Sequence, residues 1–143
     1  MRYNKLERFE KSIDNVIKFF SCSSPRLKTA SVWLLRAKLS NRPMDRVLES
    51  AIALEVLLGD QAMSDRIGLT KLMQNRCAYA LGTSASEREE YLEFFTKFYK
   101  LRSDIVHNGK LNHRAGEEDT VWKGLELASD MLVYEQRLAC AGE

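Results

Sequence analysis

Apolar residues recur at intervals of three and four along almost the whole chain, and no segment sustains a two-residue alternation. A half-buried strand needs every second side chain to be apolar, whereas a helix needs one apolar stripe at a period near 3.6, so the pattern restricts this chain to helices. The expected fold class is all-α, a compact antiparallel bundle of four to six helices. With 143 residues, 45% hydrophobic and 29% charged, there is material for one core. Residues 1–143 are therefore expected to form a single domain.

The stripes and their punctuation give the helices. Leu6, Phe9, Ile13, Val16, Ile17 and Phe20 predict an amphipathic helix over about 5–20, stopped by Ser21-Cys22-Ser23-Ser24-Pro25. A second is expected over about 26–40, with Leu27, Val32, Leu35 and Leu39 turned inward and Trp33 serving packing. Pro43 opens a third over about 43–58, apolar around much of its girth and hence central, closed by Gly59. Residues 61–81 read as a helix or a broken pair, weakened at Gly68. Ser84 and Glu87 have the spacing of a capping box for a long helix over about 85–107, with Tyr91, Phe94, Phe95, Phe98, Leu101 and Ile105 in one stripe. A last helix over about 117–140 opens on acids and carries Val121, Trp122, Leu125, Leu127, Ala128, Met131, Leu132 and Leu138.

Several function classes are disfavoured. No apolar run approaches the roughly 20 residues that span a bilayer, and the first segment lacks the apolar centre of a signal peptide, so neither membrane insertion nor secretion is expected. Cys22, Cys77 and Cys140 are odd in number and far apart, which suggests neither a disulfide framework nor a zinc site and suits a reducing cytoplasm. No metal or cofactor is expected. The formal net charge is only +2, but residues 1–46 hold 11 Lys and Arg against 4 Asp and Glu, and the remainder is net acidic. Within that remainder, 97–114 is locally basic through Lys97, Lys100, Arg102, Lys110 and Arg114. Such a patch can attract a polyanion, or be merely a set of solvated helix faces.

The most chemically pointed stretch is Leu101-Arg102-Ser103-Asp104-Ile105-Val106-His107-Asn108-Gly109, an R-x4-H spacing near a helix end. Arginine offers a permanently charged fork for phosphate oxygens, and histidine titrates nearest neutrality. At a helix C-terminus the dipole favours a protonated imidazole. On an ideal helix the two residues lie ~140° apart around the axis, so one unbroken helix does not aim both at one spot. Either Asn108-Gly109 unwinds the end, or a second copy completes the site. Glu55, set among Ala51-Ile52-Ala53-Leu54 and Val56-Leu57-Leu58, must face water or find a cation, for which Arg102 is the candidate.

The helix bearing Ala53-Leu54-Glu55-Val56-Leu57-Leu58, followed by Phe98-Tyr99-Lys100-Leu101-Arg102-Ser103-Asp104-Ile105-Val106-His107, resembles the HEPN superfamily and, within it, the Apea-like group, over about 43–110. The resemblance implies a helical bundle, a homodimer whose paired motifs form one cleft, and metal-independent endoribonuclease activity on RNA. It implies Arg102 and His107 as catalytic, with Ser103, Asp104, Asn108 and Glu55 as supporting neighbours. Toxin–antitoxin and phage-defence settings are common in the family, so a nucleotidyltransferase-like antitoxin or other neutralising protein is an implied partner. Asn108 intervenes here before Gly109, where many relatives of that group have glycine directly after the histidine.

Three readings follow. In the first, Arg102 holds the phosphate, His107 moves the proton, and Lys100, Lys110 and Arg114 steer RNA, with His113 an exposed loop residue. In the second, the same bundle and basic surface bind RNA, a nucleotide or a protein without cutting. In the third, the chain is a helical scaffold in which Arg102 pairs with Glu55 and His107 only closes a helix.

Overall fold

Each of the two prolines opens a helix, because the first turn has no internal bond for a proline to remove. The computed structural model describes residues 24–141 and, before them, 11, 13, 14, 16–18, 20 and 21. Helix α1 spans Pro25–Leu39, and its cap Ser24 accepts a hydrogen bond from the Leu27 amide through its hydroxyl. Helix α2 spans Pro43–Leu58. Then come α3 over Gln61–Ile67, α4 over Leu69–Leu81, α5 over Ala85–Asn108 and α6 over Glu118–Ala141. The described residues among 11–21 are helical as well, and no strand occurs among the described residues. No helix is long and apolar enough to cross a membrane, among the described residues.

Helix α2 occupies the centre, packed against α1, α4, α5 and α6. Its Val47, Ala51, Leu54, Leu57 and Leu58 are buried, as periodicity predicts for a helix apolar around most of its girth. Arginines from other helices satisfy the carbonyls at its end: Arg26 donates to the Gly59 carbonyl, and Arg76 donates to that of Leu58 at 2.6 Å. Likewise Arg46 donates to the Ala37 and Ser40 carbonyls at the end of α1 and lays its guanidinium 4.1 Å from the centre of the Trp122 ring. Two of the basic residues of the first 46, Arg26 and Arg46, are thus committed to holding helix ends.

Two inward faces differ from expectation. In α1 only Leu27 of the four expected residues is buried; Ala30, Leu34 and Ala37 make the core face instead, and Val32, Leu35 and Leu39 stand 57%, 57% and 71% exposed. The alanines give a shallow face that lets α1 lie close along α2, its most extensive neighbour. In the first helix Ile13, Val16, Ile17 and Phe20 are 43–58% exposed rather than inward; Leu6 and Phe9 lie outside the described residues.

Residues 61–81 are the broken pair. Gly68, at φ +82°, caps the end of α3 and starts α4, after which Leu72, Met73 and Cys77 reach the core while Ile67, Leu69 and Tyr79 stay exposed. Burial pushes the Cys77 thiol up to about 12. Ser84 caps α5 by accepting from the Glu87 amide at 3.1 Å, but the Glu87 carboxylate reaches back to the amide and hydroxyl of Thr83 rather than completing the expected box on Ser84. Those bonds hold Glu87 below the usual carboxylate range.

Helix α5 buries Phe95, Phe98, Tyr99 and Leu101. Phe98 lies so close to α6 that a Cβ on Gly124 would fall 2.2 Å from its ring carbon. That close approach requires glycine at 124, and it fixes how α5 lies on α6. Trp33 packs against the core, in keeping with its expected role, and Trp122 is about half exposed.

Candidate functional site

The C-terminal half of α5 borders an open hollow of about 450 Å³. Thr96, Lys100, Ser103 and His107 recur at intervals of four, three and four, so one face of the helix carries all of them down the same wall. Tyr99 and Arg102 flank that wall, Glu55 enters from α2, and Leu69 and Thr70 close the other side from the start of α4.

Arg102 turns toward α2, where its Nη2 lies 3.1 Å from Oε1 of Glu55, with the two side chains only 28% and 25% exposed. The glutamate that looks anomalous in an apolar stretch therefore has its cation, and a long helix and the central helix are tied together beside the hollow. Tyr99 lies behind the pair, its hydroxyl donating to the Met73 sulfur at 3.5 Å. Burial above all, and then the Glu55 carboxylate, push the Tyr99 phenol far above its ordinary range, so it stays a neutral donor.

The helix does not unwind before the histidine. Regular α-helix continues through Asn108, and the turn comes at Gly109, φ +65°, whose amide donates to the Asp104 carbonyl. His107 and Arg102 nevertheless border the same hollow, because the arginine side chain is long enough to reach its rim from the adjoining face. His107 is exposed there.

The remaining expected residues fall elsewhere. Asp104 accepts from the Asn108 side chain at 3.0 Å, a local pair that does not line the hollow. Lys110 is turned into its own loop, where its ammonium binds Oε1 of Glu117 with 12% of the side chain exposed. The Arg114 amide donates to the other oxygen of Glu117 at 2.6 Å, leaving the Arg114 side chain exposed. The Arg114 amide bond first, and the Lys110 bond second, hold the Glu117 carboxyl below its ordinary range. His113 is exposed in the same loop.

Sequence reasoning did not name Thr96, Tyr99, Leu69 or Thr70 as parts of the site. Counting back from His107 in steps of four, three and four finds Ser103, Lys100 and Thr96; Leu69 and Thr70 arrive through tertiary packing and leave no such trace. Among the described residues no group of three or more His, Cys, Asp and Glu side chains could hold a metal ion. The chain matches no family model, no curated protein and no solved structure.

An open hollow of this size can accept a nucleotide linkage. Lys100 and Arg102 supply positive charge, Ser103 supplies a hydroxyl, and His107 supplies an imidazole whose ring nitrogens can donate or accept a hydrogen bond.

Proposed function

We propose that the chain is a metal-independent endoribonuclease of the HEPN type, acting as a homodimer in which two copies of the hollow face one RNA strand. The observation that carries this reading is the gathering of Lys100, Arg102, Ser103 and His107 on one open hollow. The sequence resemblance to the Apea-like group supports it. The imidazole of His107 removes the proton from a ribose 2′-hydroxyl, whose oxygen attacks the adjacent phosphorus. Arg102 stabilises the charge that builds on the non-bridging oxygens. The imidazole of a second copy protonates the departing 5′-oxygen. The products are a 2′,3′-cyclic phosphate and a 5′-hydroxyl, and DNA, lacking the attacking hydroxyl, is spared.

Within this scheme Glu55 is a positioning residue that holds the guanidinium at the rim until phosphate oxygens replace it. Steering falls to Lys100 and Arg114, since Lys110 is engaged by Glu117. A toxin or defence role, with a neutralising partner, fits an RNA-cutting activity that must be restrained.

The part-buried Arg102–Glu55 pair also favours a second reading, in which the arginine is structural and the bundle binds RNA or a protein without cutting. Labelled RNA incubated in chelator with wild type, Arg102→Ala and His107→Ala separates the two. Cleavage by wild type alone, with all three proteins equally folded and in the same oligomeric state, supports the nuclease; binding with no product supports the second reading.

A further inference from the structure

Two surfaces outside the hollow have no partner among the described residues, and they complement each other. The outer face of α1 carries Val32, Leu35 and Leu39, all more than half exposed, directly opposite its buried Leu27, Ala30, Leu34 and Ala37. Lys28 and Lys38 flank this stripe with no ion pair among the described residues, and α1 contains no acidic residue.

The second surface is a groove of about 620 Å³ between the start of α5 and the middle of α6. Its floor is apolar, from Tyr91, Phe94 and Leu127, and its rim carries the carboxylates of Glu87, Glu90, Glu126 and Asp130. Lys123 also lies at the rim, but its ammonium is held 2.8 Å from Asp119. Glu90, Glu126 and Asp130 have no ion pair of their own among the described residues. Burial and the neighbouring Asp130 and Glu87 raise the Tyr91 phenol above its ordinary range.

We propose that a second copy of this chain is the occupant of that groove: the basic, apolar face of α1 from one copy docks into the acidic, apolar groove of the next. A symmetric pairing of two α1 faces would bring lysines against lysines, and a pairing of two grooves would oppose carboxylates, so each surface disfavours itself and favours the other. The match is in both respects, apolar floor to apolar stripe and anionic rim to cationic flanks. Because the two patches differ, each copy offers one of each, and the contact runs on as an open chain or closes in a ring, of which a reciprocal pair is the smallest. It does not depend on the proposed nuclease reading and uses none of the residues of the hollow.

The test uses the whole chain with exposed positions altered in pairs: Leu35→Glu with Lys38→Glu removes the α1 surface, and Glu90→Lys with Asp130→Lys removes the groove. Light scattering over a concentration series at low salt is expected to give a wild-type mass that rises with concentration to above that of either variant and falls back in 0.5 M salt, where surface charges are screened within ~4–5 Å. Each variant alone is expected to reach a plateau. Mixing the two variants restores one intact contact, so the mixture must exceed the mass of either alone; subunit exchange through a cleft dimer would leave the mass unchanged. A wild-type mass independent of concentration at low salt, or a mixture whose mass is only the average of its components, overturns the proposal. Cleavage assays on the same variants stay separate, because loss of self-association with RNA cleavage intact counts against neither reading of the hollow.

Discussion

The two halves of α5 present opposite surfaces on one continuous helix. Over its first turns Glu87 and Glu90 look onto a groove whose other wall adds Glu126 and Asp130; over its last turns Lys100, Arg102 and His107 look onto the hollow. Acids at the start and bases at the end both suit the helix dipole, so the charge gradient alone is what any long, stable helix shows. What separates the ends is the company each keeps. The basic end has a carboxylate from another helix fixing its arginine and an imidazole beside an open space, whereas the acidic end has carboxylates ringing an apolar floor. Charge locates polar surface, and geometry distinguishes a reaction site from a docking site.

The sharpest break of this contrast is at the imidazole. If the basic end does chemistry, His107→Ala lowers the RNA cleavage rate by about 10²–10⁴-fold, the usual weight of one general acid or base, while Glu90→Lys leaves the rate per site within a few-fold. Equal losses in both, measured as initial rates on one labelled RNA, would erase the distinction between the ends.

Next in size is a change that alters no side chain of either surface and strikes the packing of α5 on α6. Gly124→Ala forces a methyl against the Phe98 ring and is expected to destabilise the fold by about 1–3 kcal/mol, read from denaturant unfolding. A neutral result would mean that α5 and α6 are not seated on one another as described.

Removing the tie at the basic end has a smaller effect on stability. Glu55→Gln should lower it by no more than about 1 kcal/mol, since the pair is partly solvated. Loss of a competing carboxylate frees the guanidinium, so RNA affinity at low salt should rise and its salt dependence steepen, as measured by titration at several ionic strengths. Unchanged binding would remove Arg102 from the RNA surface.

The smallest expected effect concerns the loop beyond the basic end. The Glu117 carboxyl has a lower pKa folded than unfolded, so its contribution is complete above the ordinary carboxylate range and fades as pH falls through the lowered value. Protection of the amides in 109–117 against exchange should therefore fall below about pH 4, ahead of the rest of the chain, and Glu117→Gln should show the lowered protection at neutral pH as well.

Helix type and order were legible in the sequence because period and punctuation agree: prolines at 25 and 43, glycines at 59, 68, 82 and 109, and one stripe between each pair. Which face goes inward was less legible in α1, where three large apolar residues compete with a face built on alanines, and only the close approach of α2 decides between them. The site divides in the same way. Lys100, Ser103 and His107 share a helix face and could be grouped by counting, Arg102 reaches them from the adjoining face, and the isolated charge of Glu55 pointed to its partner. Lys110 could not be sorted, because its alternative partner Glu117 is drawn in by the loop's own hydrogen bonds.

The Glu55–Arg102 contact sets a threshold for what the hollow can hold. An anion that takes Nη2 of Arg102 exchanges one negative group for another there, so chloride or a lone sulfate gains little at that position. On the proposed reading, a strand bearing several phosphates would add contacts at Lys100 and carry the exchange, so the open hollow would favour polymers over the small ions that surround it.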